Sequence, residues 1–220
     1  MIRTLRRALP AAAVLLAVTA CTAQEPANEE EPTAAPQADS VDDILAEMQI
    51  DDQPLVVSDS QSDDEEGLAS AVDPAECAPA AFPRLEPSSQ GSNALAVAAT
   101  ETAEYSVTVV RNDPDELRDQ VTELLGDVED CGSFTFEVED ETAEFDIEVG
   151  ESGDDAGDWI VSDGADPNIA YAVAVTDHGA IVASTNYQAT GEYEEGLVAP
   201  TEVLEQVEQA LSDSSVPPLD

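Results

Sequence analysis

The stretch that decides the fold is IAYAVAVTDHGAIVASTNY, Ile169 to Tyr187. Two apolar, β-branched-rich runs flank Asp177-His178-Gly179, a tight turn signal. The pattern predicts a hairpin of Ile169–Thr176 and Ala180–Tyr187. Working outward, Phe134 to Val138 and Phe145 to Val149 both alternate cleanly around Asp140-Glu141, which predicts a second hairpin with one wet face. Trp159-Ile160-Val161 reads as a short strand after a Gly/Asp loop over 150–157. Upstream, Ala94–Thr100 and Tyr105–Arg111 form a strand pair, with Tyr105, Val107 and Val109 on one face.

Helices bracket these strands. Val41, Ile44, Leu45 and Met48 recur at helical spacing after Ser40, a natural N-cap. A second short helix is expected around 64–72, and Pro74, Pro79, Pro83 and Pro87 forbid a long one through Cys77. Asp113, Pro114 and Glu116 open a helix with a cap, a first-turn proline and a capping box. Leu117, Val121, Leu124 and Leu125 supply its buried face, and Gly126 is its expected C-cap. Pro200-Thr201 starts a last helix with Val203, Leu204, Val207 and Leu211 inward. The expected fold is α+β: a largely antiparallel sheet of about five to seven strands packed by two to four helices. One sheet face would meet the helices and the other water or a ligand.

Composition narrows the function. The 220 residues hold 50 Asp plus Glu against six Arg and no Lys, a formal net charge of −44. Six arginines cannot neutralise a phosphate backbone, so no nucleic acid is expected as partner. The acids are spread evenly along the chain, which reads as a solvated, halophilic surface.

The N-terminus carries the strongest sorting signal. Arg3, Arg6 and Arg7 precede an uncharged run from Ala8 to Ala20 that is too short to span a bilayer. The run ends Val18-Thr19-Ala20-Cys21, which resembles the lipobox of bacterial lipoproteins. That resemblance implies a signal peptide over 1–20, a diacylglyceryl thioether on Cys21, an added acyl chain of the palmitate type, and anchoring on the extracytoplasmic face of the cell membrane. The alternative is ordinary secretory cleavage with Cys21 left as a thiol. Residues 21–40 then form an acidic, Pro-rich tether with nothing to bury. The domain is expected over 41–213, with a loose tail at 214–220. Cys77 and Cys131 remain as an even pair in an exported chain, which reads as a disulfide worth ~4 kcal/mol in the chain-entropy account. A metal or thiol site is the alternative, and one His in the whole chain makes that ligand set poor.

The lipobox, the tether, Gln53-Pro54-Leu55, Asp73-Pro74-Ala75-Glu76-Cys77, Cys131-Gly132-Ser133-Phe134 and His178-Gly179 together resemble the actinobacterial sensor-domain lipoproteins. These are similar to the extracellular sensor domain of the mycobacterial serine/threonine kinase PknH. The resemblance implies an antiparallel α+β sensor domain over about 41–213, braced by Cys77 and Cys131, with a cleft for an unidentified extracellular ligand. The kinase-attached domain has two disulfides, and this chain has cysteines for one. With no kinase domain in these residues, signalling within the same chain is not expected.

Other candidates have plain readings beside the functional ones. His178 is the sole ordinary general base near neutral pH, yet it sits in a turn with no Gly-x-Ser-x-Gly nucleophile elbow. The acidic stretch Glu151–Asp166 lacks the order of a calcium loop, so no metal and no cofactor are expected. Arg84, Arg111 and Arg118 are expected to be ion-paired, and Trp159, Tyr105, Tyr171 and Tyr187 either pack the core or line a cleft. The expected function is a lipid-anchored binding or sensor-like domain without enzymatic activity, taking an envelope ligand or partner protein. The alternatives are an envelope lipid or glycolipid carrier and, last, a hydrolase.

Overall fold

The computed structural model describes residues 39–58, 68–89, 91–138, 141–153, 155–163, 167–187 and 197–219. The expected signal peptide, Cys21 and nearly all of the expected tether lie outside them, as do residues 64–67 of the helix expected around 64–72; in its described part, residues 68–69 are helical and 70–71 are turn. Val72, at that helix's end, belongs instead to a strand.

The described residues form four helices: α1 (Val41–Glu47), α2 (Ala78–Ala81), α3 (Pro114–Asp130) and α4 (Pro200–Asp213). The strands are β1 (Gln49–Ile50), β2 (Gln53–Pro54), β3 (Val56–Ser58), β4 (Val72–Asp73), β5 (Ser92–Ala99), β6 (Ala103–Arg111), β7 (Ser133–Val138), β8 (Glu141–Ser152), β9 (Ala156–Ser162), β10 (Pro167–Thr176) and β11 (Gly179–Tyr187). Strands β1 and β2 make a small hairpin. The other nine form one sheet in the order β3-β5-β6-β11-β10-β9-β8-β7-β4, antiparallel at every pairing. The fold is therefore α+β with one antiparallel sheet. Seven long strands match the expected number, and β3 and β4 add two short edges. Much of the 150–157 loop is strand: β8 runs to Ser152 and β9 starts at Ala156.

Strand β10 pairs with β11 in register from Ile169↔Asn186 to Thr176↔Gly179, around a turn at Asp177 and His178. Gly179 has φ +150, and a Cβ there would press on the Val110 carbonyl, so glycine is required where the hairpin returns beside β6.

Helices lie on both faces of the sheet, not on one. Successive strand residues point to opposite faces, and both are apolar in the middle of the sheet. Val110, Trp159, Val161, Tyr171, Val173, Ala180 and Val182 join α3 and the disulfide segment in one core. Tyr105, Val107, Val109, Ala172, Ile181 and Ala183 join α1 and α4 in a second. The near-continuous apolar run Ile169–Val175 follows from this double coverage.

The caps follow local chemistry. Ser40 and Asp43 form a capping box on α1. The Asp113 carboxylate accepts from the backbone N–H groups of Asp115 and Glu116. Gly126 does not end α3. The helix continues to Asp130 because Val128 extends its buried face, and Cys131 is the C-cap.

The expected loose tail is also corrected. Val216 is buried in the second core, Leu219 packs against the first, and the Leu219 N–H donates to the Asp177 carbonyl at 2.7 Å. The segment wraps the end of the sheet because each core offers it an apolar seat. Ser215 and Asp39 hydrogen-bond side chain to side chain at 2.9 Å, so the domain's first and last described segments meet.

Candidate functional site

The disulfide forms between Cys77 and Cys131, with Cα atoms 5.4 Å apart and both residues buried. It joins the turn before α2 to the end of α3. Trp159 and Tyr171 stack at 5.1 Å beneath this segment. The Trp159 indole N–H donates to the Ala80 carbonyl at 2.9 Å, and the Tyr171 hydroxyl to the Ala81 carbonyl at 2.8 Å. Two sheet aromatics thus satisfy carbonyls that a four-residue helix leaves without partners. Their position is core packing, not a cleft wall.

Tyr105 is buried in the second core. Its hydroxyl donates to Asp51 and accepts from the Val198 N–H, each at 3.4 Å. Burial pushes its pKa up, and the Asp51 carboxylate adds to that. Asp51 and Asp52 have φ of 51° and 60°, the conformation of a type I′ turn between β1 and β2. Tyr187 ends β11 opposite Ala103.

His178 is half-buried at the β10–β11 turn, where its backbone N–H donates to Thr176 Oγ1. Its ring hydrogen-bonds to no described residue. The two domain cysteines are oxidised to each other. Among the described residues no three His, Cys, Asp or Glu side chains gather as a metal site. From the acidic stretch, Asp155 instead reaches Arg118, whose Nε lies 3.7 Å away, and Arg118 also pairs with Asp115 at 2.9 Å. Arg84 is partnered. Arg111 departs from the expectation of ion pairing: it donates to the backbone carbonyl of Pro217 at 2.7 Å, because the packed tail occupies its reach.

Among the described residues three grooves lie around α1 and α4, and alternation alone did not reveal them. One groove of about 570 Å³ runs where the sheet emerges from under α4. Its floor is Ala156, Gly157, Ala172 and Ala174, and Asp158 and Glu205 stand on it. A second, of about 580 Å³, lies between Met48-Gln49 and the Glu202, Gln206 and Gln209 side of α4. A third, of about 360 Å³, opens at the end of β6 beside Arg111. The readable signal was alanine at every second position of β10, at 170, 172 and 174. Small side chains on one strand face let a helix approach closely and leave a hollow beside it.

The carboxylates give the first two grooves a negative potential, and the third holds a guanidinium. Among the described residues no helix is long and apolar enough to cross a membrane.

These features define an antiparallel α+β domain with a helix layer on each face, and the grooves described lie around α1 and α4. No protein family and no curated protein match the chain. A solved structure of an uncharacterized Mycobacterium smegmatis protein, an Rv0999 ortholog, is similar at 18% identity. The similarity covers 82% of this chain and 98% of that one, with a TM-score of 0.38. A likeness that distant carries no inference about function.

Proposed function

We propose that the chain is a lipid-anchored, extracytoplasmic binding domain of sensor type, with no catalytic role. Cys21 would hold it to the membrane, and the acidic tether would stand the domain away from an anionic lipid surface. The observation that carries this reading is the grooved layer around α4: hollows of about 570 and 580 Å³, open to solvent and mixed in polarity. Such sites suit a polar ligand or a partner's segment. A lipid carrier needs an enclosed apolar chamber, whereas these two grooves are open to solvent. Among the described residues the ring of His178 has no hydrogen-bonded partner, an arrangement that does not favour a hydrolase.

Two measurements test the proposal. Cells fed a clickable fatty acid should label the wild-type chain and not Cys21→Ala; equal labelling of the two would remove the anchor. Native mass spectrometry of the extracted protein should show the domain free of acyl lipid other than its own anchor. A stoichiometric co-purifying amphiphile would replace the binding-domain reading with the carrier.

A further inference from the structure

The structure assigns a separate site, for a small amphipathic carboxylate, to the cleft where β6 ends at Arg111. It goes beyond the proposal above, since it names a ligand chemistry for a cleft apart from the α4 grooves.

The argument begins with charge. Beyond residue 20 the chain has three arginines, Arg84, Arg111 and Arg118, among its 50 acids. In such a chain a guanidinium beside a carboxylate is the default, and Arg118 follows it with two. Arg111 does not. Among the described residues no carboxylate oxygen lies within 4.0 Å of it, although it is half-buried. Its hydrogen bond goes to a neutral backbone carbonyl, Pro217. A guanidinium has five N–H donors in a fixed plane. The bond to Pro217 engages one nitrogen and restrains the group while leaving most donors uncommitted.

The cleft supplies the rest. Its volume is about 360 Å³, at the small end for a ligand site. Val41, Ala94, Val109 and Pro217 offer apolar wall, and Ser92 and Asn93 offer polar groups beside Arg111. Asp42 also lines it. A guanidinium meets a carboxylate through two parallel hydrogen bonds, and the wall accommodates a short apolar body. The chain's net charge of −44 opposes anions in proportion to their charge, so a monocarboxylate is favoured over sulfate or phosphate.

The test is an NMR titration of the ¹⁵N-labelled full chain in mild detergent with sodium benzoate at constant ionic strength, with benzamide as the uncharged counterpart. The expected result is a saturable shift confined to amides around Ser92, Asn93, Val109 and Arg111. Benzamide and the Arg111→Gln variant should each bind at least about tenfold more weakly, the loss of a charge-assisted pair. Asp42→Asn should tighten benzoate about threefold or more by removing a like charge from the cleft. That gain also keeps the test decisive if Arg111→Gln fails to fold, because a merely structural Arg111 would not produce it. Absence of saturation by about 50 mM benzoate, equal binding of benzamide, or unchanged affinity in Asp42→Asn would overturn the site.

Discussion

Trp159 is the single tryptophan and is fully buried, with its N–H on the Ala80 carbonyl. Trp159→Phe removes both ring volume and that donor. The expected loss is about 2–4 kcal/mol, read as a lower urea midpoint at unchanged slope. Asp43 acts at the surface. The Ser40 hydroxyl, and then the Ser40 backbone N–H, hold its carboxyl below the usual carboxylate range. A depressed carboxylate contributes stability above its unfolded pKa and loses it as pH falls through the folded one. Amide protection in α1 should therefore hold at neutral pH and drop below about pH 4, with the drop blunted in Ser40→Ala. Protection that stays flat with acid would contradict this. Both caps, Ser40 and Asp113, were legible in the sequence because a cap bonds within three residues. The partner of Trp159 was not, since Ala80 lies 79 positions away.

Among the elements, α3 shows where local rules give way. A glycine after an apolar run signals a helix end, yet Gly126 sits mid-helix. Burial of Val128 outweighs the cost of glycine, about 0.5–1 kcal/mol. A Cβ at Gly126 would meet nothing within 4 Å. Gly126→Ala should therefore stabilise the domain by about 0.4–1 kcal/mol, seen as a melting temperature raised by a few degrees. A fall would mean that the open space is not available in solution. The long strands were legible from alternation, which needs several residues to show itself. Strands of two or three residues, such as β1 to β4, have no period to read. Their places are set by what they pair with, as Val72 does with Phe136.

For the whole molecule, the dominant quantity is −44 on 220 residues. Self-repulsion of this size weakens when salt screens it; the screening length falls from about 30 Å at 0.01 M to about 3 Å at 1 M. The melting temperature should rise between those salt concentrations, and an unchanged value would show that the acids are spaced widely enough not to matter. Both cores are built from apolar side chains and should depend far less on salt. The disulfide adds a salt-independent brace between α2 and α3, of the order of 2–4 kcal/mol.

By itself the sequence determined the local matters: where the long strands lie, where α1, α3 and α4 begin, that the sheet is antiparallel, and that Cys77 and Cys131 are a pair. Each rests on periodicity, on a cap within one turn, or on cysteine parity, so neighbouring residues suffice to read it. Tertiary structure alone decided that β6 pairs with β11, that helices cover both faces, and that the tail is seated by Val216 and Leu219. It also decided that Arg111 meets the Pro217 backbone carbonyl where Arg118 meets carboxylates. These depend on residues tens of positions apart meeting in space, where buried area and the field of distant charges outweigh any local preference.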